Sequence, residues 1–484
     1  MAPWHYERLS AQDNAFLLWE RGNVRMHVAS TNICDMGPLR SESGGIDIEL
    51  VKRATMGILH LVPRYRQRLF EIPVFSHAVW VDDVHFDIDY HIRHTSLPKP
   101  GTLAQLKNLV ARVMAQPLDR KRPLWEYWFV EGLAGGDQFA MITKIHHCMI
   151  DGSSGVDLAN IQFSTSPEPG ELGTPERFRP RPAPRRLELF LDETKRQAGI
   201  PLEVVRDFRQ FVDDTDDLRQ EVTTRVNALS RLLGMGTQAD ATPLNGSLGP
   251  HRRFEWISCR LEDLKSMRKG LGCSINDVVL TIVTGAIRKY LLAKSVDLES
   301  LQFKVSTPVS VRSEADRGKL GNKVSSWIIP IPIQEPDPKR QLELIHELTE
   351  ELKETNQAIG VQMMNQIQEW TPSTLLSLGA RAMSGPINTI VTNVPGPQIP
   401  LYFNGARVRA IYPAVPLMEG MGLGIALTSY AGTMGIGFNT DPDIVPDSGH
   451  FVTLFKQSMQ ELARTAHVEI GPISDDVNRV TAIG

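Results

Sequence analysis

The chain has 484 residues, with 52 Lys and Arg against 56 Asp and Glu, and is 42% hydrophobic and 22% charged. Those fractions lie close to the globular averages of about 45–50% and 25%, which excludes a disordered chain and leaves material for more than one core. The net charge of −4 argues against a nucleic-acid binder, four cysteines without a CxxC argue against a disulfide framework or zinc ribbon, and no apolar run reaches the ~18–20 residues of a membrane span.

Three zones follow in chain order. Residues 1–165 alternate helical and strand patterns and hold most of the histidines. The opening residues lack the charged-then-apolar pattern of a signal peptide, which predicts a cytoplasmic protein. His85, His91 and His94, with Asp87 and Asp89 between them, lie on a stretch that alternates as a strand, so they scatter to both faces and no metal site is expected. Phe139–His147 reads as a strand with Phe139, Met141, Thr143, Ile145 and His147 on one face and His146 on the other. Residues 166–253 form a connector. Ser166–Pro184 is rich in proline and charge and reads as an exposed linker. A polar helical stretch, Leu187–Leu233, follows, and its acidic cluster at Asp213, Asp214, Asp216 and Asp217 disfavours anionic membrane docking there.

Residues 254–484 again alternate strands and helices. Ser274–Leu292 is the clearest helix, with Ile275, Val278, Val279, Ile282, Ala286, Ile287 and Tyr290 at helical spacing. Phe303–Arg312 alternates as a strand in which Pro308 predicts an edge or bulge. Gly422–Tyr430 and Thr433–Asn439 predict a hairpin around Ala431-Gly432, and Phe451–Ala466 an amphipathic closing helix. The class is α/β, in the α+β two-layer sandwich sense, with two domains.

The stretch that carries chemistry is His146-His147-Cys148-Met149-Ile150-Asp151-Gly152. A strand delivers two adjacent histidines to a tight turn, and imidazole, with its ordinary pKa near 6.5, takes and returns a proton at neutral pH. Adjacent strand residues face opposite ways, so only one imidazole meets a given cleft and the pair is a poor bidentate metal site. Asp151 braces the turn by pairing with a cation, and Gly152 permits backbone geometry that a Cβ would hinder. Ser274-x-x-Asp277 is a capping-box start for the clear helix, Trp125 in Pro123-Leu124-Trp125 reads as packing, and the basic run Arg120-Lys121-Arg122 reads as solvated, with CoA phosphates as its sharper alternative. Ser153-Ser154 lacks the Gly-x-Ser-x-Gly context of a nucleophile elbow.

His-His-x-x-x-Asp-Gly resembles the signature of the CoA-dependent acyltransferase superfamily. The wider context resembles bacterial wax ester synthase/diacylglycerol acyltransferases: Pro123-Leu124-Trp125, Asn276-Asp277, the PVSVR segment ending at Arg312, Leu320-Gly321-Asn322 and Asn393-Val394-Pro395-Gly396-Pro397, in that order, from about residue 4 to about 460. The resemblance implies two chloramphenicol-acetyltransferase-like domains joined by a helical linker, with a tunnel at their interface. It implies an O-acyltransferase that moves a long-chain acyl group from acyl-CoA to a fatty alcohol or diacylglycerol in a ternary complex, with His147 as general base and no cofactor beyond the acyl-CoA substrate. His146 is placed with it at the catalytic site, Asp151 pairs with Arg312, Asn276 and Asp277 support the site, and Thr392 and Asn393 are candidates for the oxyanion or the tunnel wall. Lipid substrates imply peripheral contact with the inner membrane face or a lipid droplet. Rivals are a related enzyme with another acceptor, such as a polyketide diester synthase or condensation-type enzyme, and a non-catalytic lipid-binding relative. A free-standing condensation domain would lack Pro-Leu-Trp and Asn-Asp in these places.

Overall fold

The computed structural model describes residues 4–73, 77–149, 162–169, 178–196, 239–310, 324–353 and 387–481. Fifteen strands among these build three sheets. The first six-stranded sheet uses β2 (His27–Asp35), β5 (Ile92–Ser96), β6 (Trp125–Glu131), β7 (Gln138–His146), β12 (Tyr402–Phe403) and β13 (Ala406–Ala414), in the order β12-β13-β2-β7-β6-β5. The second uses β8 (Arg253–Arg260), β9 (Lys304–Ser310), β10 (Val324–Pro330), β11 (Thr389–Val394), β14 (Leu423–Tyr430) and β15 (Thr433–Thr440), in the order β10-β9-β11-β14-β15-β8. A small sheet, β1-β4-β3, comprises β1 (Glu7–Arg8), β3 (Gln67–Ile72) and β4 (His77–Asp82). The principal helices are α1 (Ala11–Trp19), α2 (Ile48–Ile58), α3 (Leu103–Ala115), α4 (Leu261–Leu271), α5 (Ile275–Ala293) and α6 (Ser448–Thr465).

The first sheet is not confined to the N-terminal zone. β13 pairs antiparallel with β2, so residues 402–414 complete a sheet whose other strands lie before residue 147. β13 shows the period-two pattern of such a strand: Ala406, Val408, Ala410, Tyr412 and Ala414 are buried while Arg407 and Arg409 are exposed. Its inner face lies directly on the second sheet. A Cβ at Gly435 would come within 2.0 Å of the Ile411 carbonyl oxygen, and one at Gly437 within 2.0 Å of that of Pro413. Two glycines one alternation apart on β15 thus let backbone meet backbone. Tyr412 stacks on Trp256 at 5.0 Å between centroids and its hydroxyl meets Ser258 Oγ at 3.0 Å.

β14 and β15 carry long buried runs because both faces are covered, by β13 on one side and by α4, α5 and α6 on the other. They meet in the expected hairpin. Ala431 (φ 43°) and Gly432 (φ 82°) both take positive φ, the requirement of a two-residue turn whose twist matches its strands. α5 begins one residue after Ser274, whose hydroxyl accepts from Asp277 N–H while Asp277 accepts from Ser274 N–H at 2.9 Å. Pro308 lies on β9 beyond Val305 and Ser306, through which that strand pairs with β11, so its missing N–H costs no bond on that side. α3 is held between the sheets. Leu106, Val110 and Met114 pack with Ile142 and Trp256, and Lys107 bridges to Glu255 (3.0 Å) and Asp475 (2.9 Å).

Residues 178–196 of the connector dock on the small sheet, whereas residues 239–253 join the second sheet, with Leu244 in its core. Arg181 forms a two-pronged pair with Asp82 at 2.9 Å, residues 186–196 are helical, Leu189 is buried against Ile72, Val79 and Val81, and Glu193 pairs with Arg8 and Arg196. Residues 166–169 are exposed, as the proline-rich composition predicts, whereas the acidic cluster at 213–217 lies outside the described residues. Among the described residues no single helix is long and apolar enough to cross a membrane; α4 and α5 reach the necessary length and composition only together, are bent by 97°, and supply apolar side chains to the core.

The close approach of β13 to β15 sets a steric prediction. Gly435→Ala and Gly437→Ala should each lower stability by about 3 kcal/mol or prevent soluble folding, because the obstruction is backbone. Gly449→Ala, on the first turn of α6 with open space around its Cβ, should be neutral or slightly stabilising. Urea-unfolding midpoints of the three variants test the contrast.

Candidate active site

Three elements converge on His147. Ser10 caps α1, its hydroxyl accepting from Asp13 N–H at 3.0 Å. α1 presents Phe16 and ends at Glu20. β2 and β7 run antiparallel with His27 directly opposite His146. Here one expectation is corrected: β7 ends at His146, and His147 opens a 3₁₀ turn, His147–Met149. The His147 N–H donates to the Met26 carbonyl at 2.8 Å, so the turn is held to the approach to β2. The His147 ring lies against Phe16, 4.0 Å between centroids, in the apolar cluster that also holds Phe139, Met141 and Ile145.

Burial pushes the His147 imidazole down to about 4, with its own backbone carbonyl pulling slightly the other way and the neighbouring His146 adding to the fall. His147 Nδ1 is buried without a hydrogen-bond partner among the described residues. The group is therefore neutral at physiological pH and free to accept a proton. The neighbouring Cys148 thiol is fully buried and pushed well above its ordinary range, which makes it inert as a nucleophile.

His146 has a different environment. Its Nδ1 accepts from Cys148 N–H at 3.2 Å, which leaves Nε2 as the protonated nitrogen of the neutral ring. Nε2 points to Glu20 Oε2 at 3.5 Å, and His27 Nε2 lies 3.1 Å from Glu20 Oε1. Arg120 reaches Glu20 Oε2 at 2.9 Å, and Met26 N–H donates to Oε1 at 3.3 Å. Burial disfavours the charged carboxylate, but the contacts from His146 and His27 outweigh it and hold the Glu20 carboxyl far below the usual range. Burial pushes His27 down to about 3. Lys144, two residues before His146, is buried with its ammonium on the carbonyls of Val113 (2.8 Å) and Gln116 (2.6 Å), the C-terminal end of α3, where a cation offsets the helix dipole.

The other expected residues divide into groups. Asp151, Gly152 and Arg312 lie outside the described residues, as do Ser153-Ser154 and Leu320-Gly321-Asn322. Asn276 and Asn393 are brought together, Asn393 Nδ2 donating to Asn276 Oδ1 at 2.8 Å, with Thr392 beside them on β11. Asp277 is fully buried. Besides capping α5 it accepts from Thr349 Oγ1 at 2.8 Å and contacts His346 Nδ1 at 3.0 Å, which welds the helix spanning residues 338–353 to the start of α5. Trp125 is fully buried, donates Nε1–H to the Tyr65 carbonyl and stacks on His91. The run Arg120-Lys121-Arg122 is engaged in the fold: Arg120 on Glu20, and Arg122 over Tyr90 at 4.0 Å. Glu20 and His27 escaped the motif reading. Their signal, a lone carboxylate after a helix and a lone histidine at a strand start, acquires meaning only through the β2–β7 register.

The two six-stranded sheets, the first completed by a strand from the C-terminal half of the chain, define a chloramphenicol-acetyltransferase-like fold. The wax ester synthase/diacylglycerol acyltransferase catalytic domain matches residues 9–279, and the C-terminal domain of the same family matches residues 320–463. A provisionally named diacylglycerol O-acyltransferase of Mycobacterium tuberculosis (strain ATCC 25618 / H37Rv) is 30% identical over 470 residues, covering 94% of this chain and 90% of its own. The wax ester synthase/diacylglycerol acyltransferase of Marinobacter aquaeolei VT8 superposes with a TM-score of 0.65 at 23% identity, covering 95% of this chain and 100% of that one. The first condensation domain of the calcium-dependent antibiotic synthetase shares the fold, with a TM-score of 0.59 at 16% identity and 96% of both chains covered. The chain belongs to the wax ester synthase/diacylglycerol acyltransferase family.

His27 (about 3) and His77, His91 and His147 (each about 4) are held below their ordinary value, first by burial in every case. In the unfolded chain they titrate near 6.5, so between about pH 6.5 and 4 the unfolded state binds more protons and stability falls as pH drops. Near pH 5 these four groups should add about four protons to the uptake on unfolding. Urea midpoints measured from pH 7 to pH 5 check this, and a flat profile would contradict it.

Proposed function

We propose that this acyltransferase moves a long-chain acyl group from acyl-CoA to the hydroxyl of a fatty alcohol or diacylglycerol, with His147 as general base in a ternary complex. The observation that carries the reading is a half-buried imidazole, kept neutral by desolvation and with its Nδ1 out of solvent, on a turn whose start is held to Met26. His147 takes the acceptor's hydroxyl proton as the oxygen attacks the thioester carbonyl. The carbon–sulfur bond then breaks, and the proton passes from the imidazole to the departing CoA sulfur. A low pKa makes His147 a weaker base but keeps all of it unprotonated at neutral pH. Exclusion of water and alignment of two bound chains supply much of the remaining acceleration.

Asn393 and Thr392 remain the oxyanion candidates. One Asn393 amide hydrogen is committed to Asn276, and the other has no partner among the described residues. Asp151 and Arg312 are assigned to each other as a structural pair that shapes the turn, with Gly152 allowing it to close. Relatives named for diacylglycerol acylation favour diacylglycerol among the acceptors. Water-poor substrates call for peripheral contact with the cytoplasmic face of a bilayer or with a droplet.

The test is purified protein with palmitoyl-CoA and either hexadecanol or dipalmitoylglycerol, following CoA thiol release. Turnover is expected with at least one acceptor, and His147→Ala should lower kcat by about 10²–10⁴-fold. No turnover with either, or turnover indifferent to His147→Ala, overturns the reading. The pH dependence gives a second expectation. kcat/KM should be flat from pH 6 to 8 with an acid limb centred near 4, and a limb centred above 6 would contradict the depressed imidazole.

A further inference from the structure

We infer that Glu20 is a positioning residue for acyl transfer: its buried carboxylate grips His27, His146 and Arg120 together and so fixes the turn that delivers His147. The inference rests on the role assigned to His147 above. The path of non-covalent contacts is short. Glu20 Oε1 lies against His27 Nε2 (3.1 Å) and accepts from Met26 N–H (3.3 Å), and the Met26 carbonyl in turn accepts the His147 N–H (2.8 Å). Glu20 Oε2 meets His146 Nε2 (3.5 Å) and Arg120 (2.9 Å), and His146 Nδ1 holds Cys148 N–H (3.2 Å). One carboxylate therefore reaches the backbone on both sides of His147, through residue 146 and residue 148 on one route and through Met26 on the other.

The arrangement also selects a tautomer. The Cys148 N–H aimed at Nδ1 needs a lone pair there, which puts the proton of the neutral ring on Nε2, 3.5 Å from Glu20 Oε2. The same assignment argues against reading Glu20, His27 and His146 as a metal triad. Ligation through His146 Nε2 would force the proton onto Nδ1, where the Cys148 N–H already points. Arg120 supplies the compensating charge from the loop before β6, and its side chain is 39% exposed, so the negative charge is neutralised without a second buried cation.

The experiment uses the full chain with palmitoyl-CoA and the better acceptor. Glu20→Gln keeps the shape and removes the charge. It should lower kcat by about 10²-fold, the scale of a ~1 Å misplacement of a reacting group, while KM for palmitoyl-CoA stays within about twofold. Glu20→Gln/His146→Gln should be no slower than the worse single variant, because both act through one linkage. Histidine ¹⁵N chemical shifts should report His146 as the Nε2–H tautomer in the parent protein and as a mixture in Glu20→Gln. Should Glu20→Gln not fold, Arg120→Gln removes the half-exposed partner together with its bond to the Leu17 carbonyl and should lower kcat by about tenfold with the fold retained by circular dichroism. A folded Glu20→Gln with unchanged kcat, multiplicative losses in the double variant, an unchanged Arg120→Gln rate or an unaltered His146 tautomer overturns the inference. Absence of turnover in the parent protein sinks the acyl-transfer reading instead, and the tautomer measurement then still decides the role of Glu20.

Discussion

The contact between β13 and β15 is the constraint on which the rest of the structure depends. Residues 402–414 leave the second half of the chain, complete the first sheet beside β2, and cross the second sheet at backbone distance over Gly435 and Gly437. Any larger residue at those two positions would separate the sheets. β2 lies between β13 and β7, so the strand that starts at His27 is itself placed by this crossing. The histidine turn is thus referred to both halves of the chain although its residues come from one.

From that frame the site is assembled by burial and by charge pairing around Glu20, with several imidazole nitrogens left without a hydrogen bond among the described residues. His147 is kept neutral by its surroundings, with Phe16 on its ring and no ion pair to it among the described residues. Two charged groups close to the turn are occupied elsewhere: Glu20 by two imidazoles and Arg120, Lys144 by the end of α3. The division of labour between adjacent histidines follows. His146 spends Nδ1 on the Cys148 N–H and turns Nε2 toward Glu20, whereas the His147 ring is left available for the proposed proton transfer.

Much of this was legible in the sequence, for definable reasons. The apolar periodicity of α5, the alternation along β7 and the Ala431-Gly432 turn are local signals, and each element appears within a residue or two of its expected bounds. The Ser274–Asp277 capping box was equally local, whereas the further use of Asp277 to hold Thr349 and His346 was not. The alternation of β13 announces a strand but cannot say which sheet receives it, because that depends on pairing across almost 400 residues. Glu20 and His27 were missed for the same reason: their partner His146 is more than 100 residues away. The placement of His147 within the strand failed because side-chain alternation does not reveal that its N–H turns to Met26.

The family relation establishes an acyltransferase scaffold, and its chemistry turns on whether the environment of His147 delivers a neutral imidazole. A direct NMR titration of the His147 ring, assigned by comparison with His147→Ala, measures that property without reference to any substrate. The account predicts a midpoint near 4. A midpoint above 6 would mean that the ring is solvated or ion-paired, and would contradict the desolvated, neutral base on which the proposed mechanism rests.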